Sequence, residues 1–333
     1  MSHPYSDVPP MQIARRAPAD PQSDGRFRLT RSDRIASAGS CFAQRITDGL
    51  RNSGYRYLVT EPGSSESYSA RYGEIYSTLQ LLQIAQAAIG AFVPAEQPWP
   101  SDDGRWLDPF RPRIQPGGFD SPQAVLDERK RHLAAVKRLL EEADIFVFTA
   151  GLTETWCSRS DGAAFPVCPG TGVGTYDPER YEFRNLGVEE NTANLDAFLN
   201  IAWSLNPALR VIFTVSPVPL AATMEARHVV QSTTWSKSVL RVAVEEMRRR
   251  YEAVDYFAAY EIVLGARPSG FENDGRTVTP AAVNTVVASF FRHFGEPLIA
   301  AELETSRPRA AVEHDVCDDT FLENFLEEQR KPG

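Results

Sequence analysis

Cysteine is scarce in this 333-residue sequence: Cys41, Cys157, Cys168 and Cys317 are the only four, and no two of them form a CxxC pair. So sparse a set excludes a disulfide-dependent secreted scaffold. Cys157 and Cys168 flank a loop and read as a bridge, as metal ligands lacking nearby histidine spacing, or as two small loop or core residues. Long apolar runs are also missing. Nothing approaches the roughly 20 consecutive apolar residues of a membrane span, so no transmembrane helix is expected. Residues 1–20 are polar and proline-rich, without the apolar stretch of a signal peptide, which predicts a cytoplasmic protein. Positive charge is in deficit, with 35 Lys and Arg against 44 Asp and Glu and a formal net charge of -9. That balance repels phosphate backbones and anionic membrane surfaces, so nucleic acid is not expected as a partner.

What is present is an ordinary globular composition, 42% hydrophobic and 24% charged, rich enough in apolar residues to fold unaided. Strand and helix patterns alternate along it. Residues 33–38 form a short apolar strand pattern, followed by Gly39 and a helix with Phe42, Ile46 and Leu50 on one face, ended by Gly54. Residues 55–60 read as a second strand, 61–70 as an exposed loop, and 75–89 as a helix. A long irregular stretch spans 90–120, a length that in a compact domain marks a functional loop or an insertion. Ser121 caps a charged amphipathic helix to about Glu142. The continuously apolar runs 145–149 and 211–215 suit strands buried on both faces of a parallel sheet. A Gly/Pro-rich excursion at 165–187 and helices at 191–205, 234–250 and 280–294 complete the pattern with a strand at 254–257. The alternation predicts an α/β fold built on a doubly wound, mostly parallel sheet. Its expected organisation is an N-terminal extension (1–29), one α/β domain (30–300) and an acidic C-terminal tail (301–333) with a short helix at 320–328.

In open α/β sheets ligands bind beyond the carboxyl ends of the strands. Three junctions there carry polar groups: Gly39-Ser40-Cys41, Gly151-Leu152-Thr153-Glu154, and Ser216-Pro217. Cys41 falls at a helix N-terminus, where the macrodipole and unpaired amides can lower a thiol pKa from about 8.5 into a range of roughly 3.5 to 7.5. That would make it a nucleophile. Equally, Gly39 permits the turn, Ser40 caps the helix, and Cys41 packs as a small hydrophobe. His228 lies in a loop after the fourth strand, as a base or as a backbone-bonded loop residue. His132 and His293 sit in helix patterns beside charged neighbours and read as solvated; His3 and His314 lie near the ends. Tyr72, Tyr76, Trp106, Trp156 and Trp235 would form an aromatic wall or belong to the core. Arg71, Lys237 and Arg241 read as anion-binding groups or as ion-pair partners.

The run AGSCFA (residues 38–43) resembles the signature of the GSCFA family, bacterial proteins related to the SGNH/GDSL esterases. Further stretches similar to the family are YSARYGEIYS (68–77), FVFTAGLTETW (146–156), FTVSPVPL (213–220), WSKSVLR (235–241) and DYFAAYEI (255–262), so the likeness covers roughly residues 30–295. The resemblance implies a flavodoxin-like three-layer α/β/α sandwich with catalytic blocks at the strand ends. Laid onto Gly39-Ser40-Cys41, the nucleophile of the first block, Gly-Asp-Ser, falls on Cys41 rather than Ser40. The second block is similar to Gly73, whose N–H would bind an oxyanion; Glu74 stands where relatives tend to carry Asn. The third block, Gly-x-Asn-Asp, resembles Gly151-Leu152-Thr153-Glu154, so Thr153 replaces the amide donor, and losing such a donor typically costs about a hundredfold or more in rate. The fifth, Asp-x-x-His, has its counterpart in Asp274 to Thr277, without the histidine.

A thiol is partly ionised near neutrality and tolerates a missing base better than a hydroxyl does. Together these readings imply an acyl hydrolase or acyltransferase. Cys41, or less favourably Ser40, would attack an ester or thioester of a carbohydrate or small metabolite. Gly73, Thr153 and Gly151 would hold the oxyanion, His228 with Asp274 would move the proton, and Glu74, Glu154, Arg71, Tyr72, Trp156 and Lys237 would contact substrate. No cofactor or metal is called for. The alternative is a catalytically quiet module that binds glycan or a partner protein. A redox-sensing thiol would need a resolving cysteine, and none is close to Cys41 in sequence.

Overall fold

The computed structural model describes residues 20–23, 25–62, 69–266 and 269–296, the side chain of Cys41 excepted. His3, Tyr68, His314, Cys317 and the helix expected at 320–328 lie outside the described residues. In chain order the elements are β1 (Arg34–Gly39), α1 (Cys41–Asn52), β2 (Arg56–Tyr57), α2 (Thr78–Ala88), β3 (Trp99–Pro100), β4 (Trp106–Leu107), α3 (Pro122–Glu142), β5 (Ile145–Ala150), β6 (Glu154–Ser158), β7 (Ala164–Phe165), β8 (Tyr181–Asn185), α4 (Val188–Leu205), β9 (Arg210–Val215), α5 (Val229–Arg250), β10 (Val254–Phe257), α6 (Ala259–Gly265) and α7 (Pro280–Phe294).

The central sheet runs β2-β1-β5-β9-β10, every neighbouring pair parallel. Counted by order of appearance in this sheet, that is second, first, third, fourth, fifth: the flavodoxin arrangement, whose switch point lies between its first and third strands. Here the switch point falls between β1 and β5. Alternate residues of the strands face opposite layers. Ala36, Ala38, Phe146, Phe148, Val211 and Phe213 enter one core with α2, α3, α4 and α5. Ile35, Ile145, Val147 and Ile212 enter the other with α1, α6 and α7. The product is a three-layer α/β/α sandwich. No helix among the described residues is long and apolar enough to cross a membrane.

Local chemistry sets the boundaries. The Ser121 and Thr279 side chains accept N–H bonds from Ala124 and Ala282, each followed by a proline in the first helical turn, so α3 and α7 begin where expected. The expected helix at 75–89 starts only at Thr78, because Ile75 N–H donates to Gly39 O while Tyr76 O accepts from Gly151 and Leu152. These bonds tie the preceding loop to the strand ends. The strand expected at 55–60 shrinks to two residues because Thr60 N–H leaves the sheet and pairs with Ser69 O. The excursion at 165–187 holds part of a second, antiparallel sheet, β7-β6-β8. Helix α5 begins five residues before the expected start because the Nδ1 of His228 accepts the Val230 N–H and caps it.

Two histidines correct the sequence reading. His132 is buried rather than solvated, with Nδ1 2.6 Å from Glu61 Oε2. His293 is half-buried, with Nε2 3.2 Å from Asp20 Oδ2. Lys130 and Arg131, directly before His132, are exposed while the ring turns inward, so composition alone misplaces it. Cys157 and Cys168 are both free thiols, and burial pushes each up to about 11.

Candidate active site

The turn between β1 and α1 occupies the switch point. Gly39 adopts φ +144°, and a Cβ there would lie 2.5 Å from Thr149 O. Only glycine lets β1 press this closely on β5 and turn at once into a helix. Ser40 follows, buried and extended, its N–H bonded to Thr149 O at 3.2 Å. Although it occupies the N-cap position of α1, its side chain makes no cap hydrogen bond. Cys41 is the first residue of α1, so its backbone amide stands at the positive end of a 12-residue helix that points out of the sheet's carboxyl edge.

Two further segments meet this turn. Gly73 has φ +67° in the loop before α2, and that loop is fixed to the turn through the Ile75 N–H to Gly39 O bond of 3.1 Å. At the end of β5, Gly151 packs so closely that an added Cβ would be 3.2 Å from the Ser40 Cβ and 3.1 Å from Tyr76 O. The Gly39, Gly73 and Gly151 segments therefore converge. The Gly151 N–H, however, donates to Tyr76 O at 2.8 Å. Thr153 is fully buried; its N–H donates to Ser236 Oγ at 2.9 Å and its hydroxyl to Asn185 Oδ1 at 2.7 Å. Both of its donors are engaged.

Lys237 is the group whose placement is least like that of an ordinary surface lysine. It comes from α5, is 1% exposed, and donates from Nζ to Gly151 O at 2.6 Å. Lysine is almost never buried this completely without a purpose for its charge. His228 is exposed at the N-cap of that helix, nine positions earlier, or roughly 13 Å along the axis. Glu154 is half-buried and joins the loop after β9, accepting from the Thr223 hydroxyl at 2.6 Å and the Met224 N–H at 3.2 Å. Burial raises its carboxyl above the ordinary value, against the lowering effect of those bonds.

Other candidates sit apart or carry structure. Asp274 accepts from the Arg276 and Thr277 N–H groups and the Thr277 hydroxyl, a self-contained exposed turn whose carboxyl is held below the usual range chiefly by the Thr277 hydroxyl. Arg71 pairs with Glu128 at 2.9 Å and donates to Ile114 O. Arg241 pairs with Glu245 and Glu261. The five aromatics do not form one wall. Tyr72 and Tyr76 are buried, Trp156 packs with Tyr176 and Phe183 in the small sheet, and Trp235 is 45% exposed under Arg227. Sequence reasoning missed Asn185, which joins Thr153 to Glu225, and Ser236, which holds the Thr153 amide. Both come from distant segments; Ser236 falls in the WSKSVLR stretch, but nothing local marks Asn185. Among the described residues no cluster of His, Cys, Asp and Glu could hold a metal ion.

No curated protein matches the chain. Among solved structures, the chain is similar to a Clostridium thermocellum family 3 carbohydrate esterase, at 10% identity and a TM-score of 0.34, covering 78% of this chain and 94% of that one. The GSCFA family model matches residues 34–290, from the first residue of β1 into α7, and the chain belongs to that family.

Proposed function

We propose that the protein is an acyl hydrolase or acyltransferase of the esterase kind, with Cys41 as its nucleophile. The observation that carries this reading is Lys237, a buried ammonium held on Gly151 O where Gly151 packs against Ser40. A cation held at this carboxyl edge would favour a thiolate at Cys41 over a thiol, as would the N-terminus of α1. The thiolate attacks an ester or thioester carbonyl, forming an S–C bond as the carbonyl electrons move onto oxygen. The N–H groups of Gly73 and Cys41 receive the oxyanion. Collapse breaks the bond to the leaving alcohol or thiol, which takes up a proton; water or another hydroxyl then attacks the thioester and frees Cys41. Gly151 and Thr153, with their donors engaged, shape the site instead of binding the oxyanion. His228 stands exposed at the N-cap of α5, and the Asp274 turn is tied to the loop after β9 through Arg276, which donates to Pro219 O.

Turnover of 4-nitrophenyl acetate by three proteins tests the assignment. Cys41→Ala abolishes it, and Ser40→Ala keeps most of it. Loss in Ser40→Ala with retention in Cys41→Ala would move the nucleophile to the serine. A second reading, a quiet module that binds glycan or a partner, is favoured by the engaged donors of Thr153 and by Thr277 standing where the superfamily carries its base. It requires that the wild-type protein turn over no acyl ester.

A further inference from the structure

A cavity of about 80 Å³ lies between α2 and α3, beside the Gly73 loop. Its wall includes Tyr72, Glu74 and Ile75, the residues on both sides of Gly73. Consecutive Cα atoms are about 3.8 Å apart, so the wall passes within one residue of Gly73 in either direction. Arg111 belongs to the same wall, and its Cα and Cβ lie 3.9 Å from the place a Gly73 side chain would begin. Ile75 ties the wall to the β1–α1 turn, since it lines the cavity while its N–H donates to Gly39 O at 3.1 Å. The cavity therefore adjoins the candidate active site at Gly73. Among the described residues the Gly73 N–H itself has no acceptor, so it is free to take one from a substrate.

From this end the cavity follows α2. Gln80, Gln83, Ile84 and Ala87 line it at the spacing of one helix face, and Gln80 to Ala87 is roughly 10 Å of axis. The surface turned inward is mostly apolar, with Ile84, Phe92, Phe110 and Leu133 supplying carbon. The polar residues of the wall spend their polar atoms elsewhere. Gln80 Oε1 accepts the Tyr76 and Ser77 N–H groups, both at 3.0 Å. Gln83 donates to Gly162 O and accepts from the Ala164 N–H, both at 2.8 Å. Arg111 is held by Asp108 and Arg71 O. What remains is a narrow slot of carbon leading away from an oxyanion donor.

Size sets the occupant. One water needs about 10–15 Å³, and a methylene has similar bulk, so the slot takes about six carbons. The acyl chain suits it better than the alcohol, because the acyl group stays on Cys41 through both half-reactions and the alcohol departs between them. We propose, on the strength of the acyl chemistry assigned above to Cys41 and Gly73, that this cavity is the acyl pocket and that the substrate is an ester or thioester of an unbranched apolar acid of about four to six carbons.

The test is kcat/KM for the 4-nitrophenyl esters of acetate, butyrate, hexanoate and decanoate, which share one leaving group. It rises by up to about fourfold per added methylene as far as hexanoate, the gain from burying each one, and falls for decanoate. Ala87→Phe fills the far end of the slot and cuts the hexanoate-to-acetate ratio at least tenfold; a ratio within one protein is insensitive to the fraction folded. Leu133→Ala, on the facing helix, enlarges the slot and moves the optimum towards decanoate. Turnover by Cys41 with no preference for butyrate or hexanoate over acetate, or a ratio that neither variant changes, would overturn the pocket and leave the nucleophile standing. Failure of the wild type to turn over any of the four esters would overturn the acyl chemistry, and the pocket with it.

Discussion

Alkylation with iodoacetamide measures whether the β1–α1 turn activates its thiol, and the protein supplies its own references. Cys157 is fully buried and Cys168 half-buried, and burial pushes both thiols up to about 11. At about pH 7.5 such a thiol is ionised to roughly 0.03%, whereas one brought to about 7 by a helix N-terminus and a cation is mostly thiolate. The ratio of thiolate populations is then a few thousandfold. Nucleophilicity falls as pKa falls, with a Brønsted slope of about 0.45, which over four units returns a factor of roughly 60. The net expectation is that Cys41 reacts about forty times faster than Cys168, and by a larger margin over Cys157, which reagent also reaches less easily. The assay is peptide mass mapping of the folded protein after timed labelling. Equal rates at Cys41 and Cys168, or labelling of Cys41 that accelerates only above about pH 8.5 like a free thiol, would refute the activation argument.

Lys237→Met, which keeps the buried stem and deletes the charge, is expected to slow Cys41 labelling and shift its pH profile upward; an unchanged profile removes Lys237 from the proposed chemistry. Gly39→Ala places a Cβ 2.5 Å from Thr149 O at φ +144°, so thermal denaturation should show a loss of at least about 3 kcal/mol, or a melting point lower by about 10 °C. Acid should destabilise the fold through His132 and Glu61. Burial depresses the His132 pKa, so below its ordinary value of 6.5 the unfolded chain takes up a proton that the native state refuses, and stability falls with pH. Burial is the largest single effect on Glu61 and works the other way, but the His132 hydrogen bond and charge, the Arg71 N–H and the Arg111 charge together outweigh it and lower that carboxyl, adding a second loss below its ordinary 4.5. Chemical denaturation between these values should show a flatter pH dependence in His132→Gln than in the wild type.

The sheet was legible because its strands are extreme. Residues 145–150 and 211–215 are wholly buried, and a run apolar at all but one position, Thr149 or Thr214, has few alternatives to a central parallel strand. The β1–α1 turn was equally plain, since Gly39 and a following helix pattern can be read locally. What stayed hidden depends on long-range partners. β7 and β8 lie in a Gly/Pro-rich stretch and exist because β6 pairs with both. His132 looks like a surface residue on a charged helix until Glu61, 71 residues earlier, is brought against it. Lys237 reads as one more lysine in an acidic protein; only the packing of α5 against the end of β5 reveals its burial.

The buried charges also explain how the Gly73 loop keeps its shape. Burying ion pairs is weak evidence for stability, because desolvation offsets most of the attraction. The network beneath this loop therefore asks for a reason other than folding energy. Its members hold the loop directly. Arg111 donates to Arg71 O at 3.1 Å while its backbone lies 3.9 Å below the position a Gly73 side chain would take, and Arg71 is pinned to Glu128 and to Ile114 O. Asp108, which burial would neutralise, is kept ionised by Arg111 and Arg129 and so keeps both guanidiniums in place. A glycine amide that receives an oxyanion, the role proposed for Gly73, must be fixed before the charge develops, since reorganisation at that moment costs rate.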